Sequence, residues 1–196
     1  MKRKLAEVLM ECMRTVSLEK ITVKDIVDRA GVSRQTFYYH FHDIYEVLEW
    51  YMQDITKNAI ELYKDEDDWL DVYTRVLCWC KEQKPVIMNI YLSVSRDTLE
   101  FYMNQLLYEY IYERVANRAK KMEVTEKQIE MVAQFYTMGI NAVTLEWFRT
   151  YMKEEPEELS IKVHIMIKGG AGKALSNFEY SNHKNKHSMT DIYFRE

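Results

Sequence analysis

Apolar side chains recur along this chain at the spacing of one helix face. Leu5, Val8, Leu9, Cys12, Met13 and Val16 stand at i, i+3, i+4, i+7, i+8 and i+11, the stripe of a first amphipathic helix. Val23, Ile26, Val27 and Ala30 repeat the pattern until Gly31 interrupts it. Phe37 and Phe41, four apart, give a third element its inward face, and Ile44, Val47, Leu48, Tyr51, Met52 and Ile55 carry a fourth over three turns. Trp69, Tyr73, Val76, Leu77 and Cys80 form the next stripe, and Pro85 opens a short helix through Val94. Longer segments follow from 97 to about 121 and from 125 to about 152, and another helix runs from Pro156 to the Gly169-Gly170 pair. The 125–152 segment is apolar on more than one side, so it needs partners on two faces. Residues 171–196 lack clear periodicity; a short helix to Tyr180 and a loose polar tail are expected there. The pattern predicts an all-α fold.

Capping signals sharpen the boundaries. Thr22 with Asp25 three residues on makes a capping box, closed by a staple of Ile21 and Ile26. Ser33 caps the following helix, with Val32 and Phe37 as its staple. Asp43 with Glu46, Asp97 with Glu100, and Thr125 with Gln128 repeat the box, and Glu157 and Glu158 favour the helix start at Pro156. Only about three residues separate the second and third helices, the turn length of a helix-turn-helix.

With Phe37 and Phe41 turned inward, that third helix leaves Arg34, Gln35, Thr36, Tyr38, Tyr39 and His40 outward. Arg and Gln pair bidentately with guanine and adenine edges, Thr offers a hydroxyl and a methyl, and Tyr and His reach phosphate oxygens. Such a face suits the DNA major groove. The local pattern alone also suits an ordinary helical hairpin with packed aromatics.

Charge distribution bears on that choice. The chain of 196 residues has a formal net charge of −4, which argues against nonspecific coating of nucleic acid. Residues 1–42 carry eight Lys/Arg against five Asp/Glu, whereas the remaining body is acidic, as expected for a basic reading head on an acidic body. Lys2, Arg3 and Lys4 suit either phosphate contact or plain solvation. Hydrophobic content is 47% with five Gly and two Pro, which favours helices over a turn-rich β protein.

Residues 22–41, Thr-Val-Lys-Asp-Ile-Val-Asp-Arg-Ala-Gly-Val-Ser-Arg-Gln-Thr-Phe-Tyr-Tyr-His-Phe, resemble the DNA-binding signature of the TetR family of bacterial transcriptional regulators. The run at 41–50 and Leu-Glu-Trp-Phe at 145–148 resemble the family branch that includes the dihydroxyacetone-kinase activator type. One departure is Ile44, where most family members carry a lysine used against the DNA backbone.

The resemblance implies a TetR-like fold of about nine helices: a helix-turn-helix domain over 1–45, a helical regulatory and dimerisation domain over 46–180, and a polar tail over 181–196. It implies double-stranded DNA as partner, with Thr22, Lys24, Ser33, Arg34, Gln35, Thr36, Tyr38, Tyr39 and His40 as the contact set. It further implies a homodimer held by two C-terminal helices, with Phe135, Gly139, Ala142, Val143, Trp147, Val163 and Met166 at the interface. The expected function is a cytoplasmic homodimeric regulator, a repressor, on a palindromic operator, controlled by a small-molecule or protein effector. The alternative is a TetR-fold interaction module or co-activator acting through a partner protein.

Enzyme signatures are absent from the sequence: there is no Walker loop, no Gly-x-Ser-x-Gly and no His-Glu-x-x-His, so neither catalysis nor a cofactor is expected. Cys12, Cys78 and Cys80 follow no framework spacing, and reduced thiols are the simplest reading. His183 and His187, four apart, would chelate only on a helix; a surface pair is the plainer alternative. The acidic run 64–68 lacks the glycine and distal glutamate of an EF-hand and reads as a solvated, capping loop. No stretch approaches 18 consecutive apolar residues, so no membrane span is expected. The Tyr and Met of the body at helical spacing are usually core, and a Met-rich interior also suits an adaptable ligand cavity, so core filling is the expectation for any one of them.

Overall fold

The structure is a computed structural model that describes residues 1–63 and 68–193, with side chains described for these apart from 60, 63 and 185–193. Residues 64–67 of the acidic run lie outside the described residues. Among the described residues there are ten α-helices, one 3-10 helix and no strand. The helices are α1 (Lys2–Met13), α2 (Val23–Ala30), α3 (Arg34–His40), α4 (Ile44–Tyr63), α5 (Trp69–Glu82), α6 (Lys84–Ser93), α7 (Arg96–Ala119), α8 (Glu126–Arg149), α9 (Pro156–Ile167) and α10 (Gly170–Tyr193). The 3-10 turn, Leu18–Lys20, joins α1 to α2.

The capping chemistry accounts for most boundaries. Thr22 and Asp25 form the full box at α2, as do Thr125 and Gln128 at α8. Gly31 stops α2 in the left-handed region (φ 65), a conformation that a Cβ disfavours. At α7 the expected box of Asp97 and Glu100 does not form. Ser95 is the cap, accepting from the Thr98 amide at 3.2 Å, and Glu100 pairs with Arg96 instead. Serine starts the helix two residues early because its short hydroxyl satisfies an amide of the first turn.

Two other ends differ from the pattern. α8 stops at Arg149, and the chain leaves it through Tyr151 (φ 58) and Met152 (φ 51). This turn buries Met152, whose amide donates to the Trp147 carbonyl at 2.8 Å. α10 continues to Tyr193 instead of ending near Tyr180. After Gly172 the segment contains no Gly or Pro to break it, and Asn182 donates to the Glu123 carbonyl at 2.9 Å, holding α10 against the start of α8.

Buried residues from α1 to α10 form one continuous cluster. α1 packs on α2, α4 and α6; α7 and α8 pack along each other; α9 lies on α5, and α10 on α7 and α8. α4 carries the chain from the three N-terminal helices into the body without a break.

A single side chain stitches the two parts from the other side. Asn89 of α6 accepts from the Leu18 amide at 3.0 Å and donates to the carbonyls of Met13 and Val16 at 2.9 and 2.7 Å. These groups lie at and just beyond the end of α1, where carbonyls have no helical partner. Asn89→Ala is expected to destabilise the protein by about 2 to 3 kcal/mol, because it strands three polar groups in a partly buried site. In thermal unfolding this appears as a Tm lower by roughly 4 to 12 °C.

Candidate nucleic-acid interface

α3 has seven residues, too few to be stable alone, so its direction is set by what it buries. Phe37 and Phe41 enter the core, with ring centroids 6.2 Å apart, and Phe41 also meets Trp50 of α4 at 6.3 Å. Arg34, Gln35, Tyr38 and Tyr39 consequently project into solvent, Tyr39 with 84% of its surface exposed. Thr36 and His40 are half-buried at the edges of that face. Tyr38 leans edge-on against Phe37, and Tyr39 against the His40 imidazole.

The other members of the expected contact set divide by what their side chains already do. Lys24 is exposed at the start of α2. The Thr22 hydroxyl donates to the Asp25 carboxylate at 2.6 Å and accepts from the Asp25 amide at 3.2 Å. The Thr22 hydroxyl and amide together hold the Asp25 carboxyl below its ordinary range. This part of the cap is therefore present above the ordinary carboxylate pKa and fades as the pH falls through the lowered value. Ser33 Oγ accepts from the Thr36 amide at 3.1 Å and lies 2.9 Å from Thr36 Oγ1. Thr22 and Ser33 thus serve first as caps that start α2 and α3.

Around this face, Arg3 pairs with Asp54 of α4 at 2.8 Å, and the Lys2 ammonium sits 5.2 Å from the Phe41 ring centroid. Both cations are engaged within the protein, while Lys4 is exposed and has no ion-pair partner among the described residues. Ile44 is half-buried against the core at the start of α4, and His42 and Tyr45 beside it are exposed.

Behind the head lies a cavity of about 360 Å³, walled by α1, α4, α5, α6, α7 and α8. Its wall is mainly apolar and aromatic, with a few ordered polar groups. Thr144 donates its hydroxyl proton to the Ile140 carbonyl at 2.9 Å, which leaves it to accept from the Tyr73 hydroxyl at 2.9 Å. Burial pushes the Tyr73 phenol up to about 12. The Trp69 indole stacks on Tyr73 and donates to His164 Nδ1 of α9 at 2.9 Å. Burial likewise pushes the Cys80 thiol up to about 12 and raises Cys12 and Cys78, so these thiols are weak nucleophiles at neutral pH. Among the described residues no three His, Cys, Asp or Glu side chains gather as a metal site. His183 is exposed on α10; the side chain of His187 lies outside the described residues. No described helix is long and apolar enough to cross a membrane.

The expected interface residues split in the same way. Phe135 (71% exposed), Gly139 and Ala142 lie on the outer face of α8, Val143 is half-buried, and Met166 of α9 is 67% exposed. Trp147 and Val163 do not belong with them. They are 3% and 1% exposed within this one chain, and the Trp147 indole donates to the Glu154 carbonyl at 2.9 Å. Helical spacing alone cannot say which of two apolar faces of α8 points outward. Sequence reasoning missed Met131, Met138, Ile161 and Ile165, exposed apolar residues that complete those outer faces. It also missed Asn89, whose signal was a lone amide inside the apolar run Pro-Val-Ile-Met-Asn-Ile-Tyr-Leu.

A short helix presenting a polar face over a three-helix head, joined to a helical body around a cavity, defines a helix-turn-helix regulator of the two-part, all-α class. Family models agree in both parts: residues 6–49 match "Bacterial regulatory proteins, tetR family", and residues 67–169 match "Transcriptional regulator C-terminal region". The chain belongs to the TetR family of bacterial transcriptional regulators, which bind DNA.

Among its relatives is the HTH-type dhaKLM operon transcriptional activator DhaS of Lactococcus lactis, 23% identical over 145 residues that span 72% of this chain and 76% of that protein. The solved dihydroxyacetone kinase operon activator DhaS superposes with a TM-score of 0.66 at 19% identity, covering 91% of this chain and 97% of that one. Thermus thermophilus FadR, a repressor solved in complex with lauroyl-CoA, superposes with a TM-score of 0.63 at 15% identity over 87% of this chain and 94% of its own.

If the two faces of α3 are as described, Phe37→Ala costs about 3 to 5 kcal/mol of folding stability, whereas Tyr38→Ala changes it by less than about 0.5 kcal/mol. Denaturant unfolding of the two variants side by side checks the difference.

Proposed function

We propose that this chain acts in the cytoplasm as a homodimeric, sequence-specific regulator, two α3 faces reading half-sites of a palindromic operator about one helical turn, roughly 34 Å, apart. The observation that carries the reading is the outward set Arg34, Gln35, Tyr38 and Tyr39 above two fully buried phenylalanines. Arg34 and Gln35, in the first turn of α3, suit base edges; Lys24, Tyr38, Tyr39 and His40 suit the flanking phosphates. Thr22 and Ser33 contribute as caps that fix the two helices, and Thr36 lies at the edge of the face. With Ile44 in place of a lysine, His42 and Tyr45 are the exposed groups left to meet the backbone at the start of α4.

A second copy would cover the outer apolar faces of α8 and α9, where Phe135, Met138, Ile165 and Met166 are too exposed for a solitary chain. The domain division we propose is 1–45 for reading and 46–180 for sensing and dimerisation, with residues 181–193 continuing α10. No catalytic role is proposed. Where the operator overlaps a promoter, occupancy represses, and the DhaS relative, described as an activator, is the reason to measure the sign directly.

Selection of bound genomic fragments by the purified protein is expected to return a palindrome. Arg34→Ala should weaken binding to it by about 1 to 3 kcal/mol and relax base preference. Equal binding by that variant would refute the assignment of this face. Phe135→Glu combined with Met166→Glu should leave a folded monomer in analytical ultracentrifugation and abolish operator binding, since each head alone spans one half-site.

A further inference from the structure

The cavity's lining has an uneven charge. Four carboxylates, Glu7, Glu11, Glu109 and Glu113, line it together with one cation, Arg14; all five are solvent-exposed and so stand at the cavity's mouth. Arg14 is already engaged: its guanidinium lies 3.2 Å from Glu11 and donates to the Gln83 side chain at 2.6 Å. Glu7, Glu109 and Glu113 have no ion-pair partner among the described residues. The charges reach the wall: after burial itself, Glu7 raises the Tyr51 phenol and Arg14 opposes it, with Asp54 adding to the rise. Arg114 sits over the Tyr110 ring at 3.3 Å, outside the lining, so even with it the acids outnumber the cations by two.

The same wall is rich in π faces. Trp69, Tyr73, Tyr91, Tyr110 and Phe148 all line the cavity. A ring face carries negative potential and attracts an organic cation, most strongly once both are shielded from water. An anion entering here would meet the unpaired carboxylates and the ring faces together, with no free guanidinium to receive it. A neutral apolar molecule would fit the walls but leave the carboxylates unused.

We propose that the cavity takes a lipophilic organic cation, an aryl-substituted ammonium small enough for about 360 Å³, its ring against the aromatic wall and its charge toward Glu7, Glu109 and Glu113. This deepens the reading of the chain as an effector-controlled regulator and rests on it only for its regulatory consequence. Binding itself is measurable without DNA.

The test is calorimetric titration of the full chain with three probes that share one ring: naphthylmethyl-trimethylammonium, naphthylmethanol and naphthylmethanesulfonate. The cation should bind at least about tenfold more tightly than the sulfonate, the scale of partly screened carboxylates a few ångströms from the charge. The preference should shrink as salt rises. In the variant with Glu7→Gln, Glu109→Gln and Glu113→Gln, the cation should lose that advantage while naphthylmethanol binds as before. If the triple variant fails to fold, Glu109→Gln alone should lose about threefold for the cation only. Absence of cation binding, equal or tighter sulfonate binding, or a preference untouched by these substitutions would overturn the proposal. Operator binding is assayed on the same samples without probe. Its loss would sink the regulatory reading and leave the cation result standing, whereas intact operator binding without a cation preference would sink only the ligand class.

Discussion

Burial of Phe37 and Phe41 is the constraint on which the presentation of α3 depends. A helix of seven residues has too few internal hydrogen bonds to offset its own ordering, so packing decides whether it exists and which way it faces. Two phenylalanines four residues apart supply that packing on one side only. Arg34, Gln35, Tyr38 and Tyr39 are then outward by geometry, with Thr36 and His40 at the edges, and Ser33 and Gly31 fix where the helix starts and how it meets α2. The identity of the outward residues is a separate matter from the stability of the helix. A DNA-reading surface can therefore vary while its support stays the same.

The head would still be a loose appendage without its ties to the body. α4 provides one tie, covalent and continuous, and the Asn89 amide provides another at the opposite end of α1. Their physics differs. A helix transmits a shift along its axis, whereas three hydrogen bonds converging on one amide hold only within a few tenths of an ångström. The shared hydrophobic cluster fills the space between, so head and body form one packed unit with little room for independent motion.

How far the sequence revealed this depends on the kind of signal. Thr22, Ser33 and Thr125 act locally, through partners three residues away, and those boundaries were legible. Asp97 was misleading because Ser95, two residues earlier, offered the first turn an equally good acceptor; local rules rank poorly when two caps compete. The outer apolar face of α8 was legible only by half. α8 is apolar on two sides, and nothing in its spacing tells Phe135, which faces out, from Trp147, which faces in and bonds to Glu154. Asn89 stood out as a lone amide in an apolar run, but its role was illegible because its three partners lie more than 70 residues away in sequence.

α1 is where the two halves of the molecule become one device. Leu5, Leu9 and Met13 on its inner face are buried in the core beside α2 and α4, while Glu7, Met10, Glu11 and Arg14 on its flank line the cavity. The roof of the reading head is thus also a wall of the chamber. Protein interiors are packed nearly as densely as molecular crystals, so a group entering the chamber cannot be absorbed by slack. It displaces a wall, and two of the walls, α1 and α4, end in the head. The Trp69 indole, between Tyr73 and His164, links the same chamber to α9 and its exposed apolar face. A small displacement at the cavity therefore reaches both the helix that presents α3 and the exposed apolar face of α9, and in the proposed dimer those two elements would set the spacing of the heads.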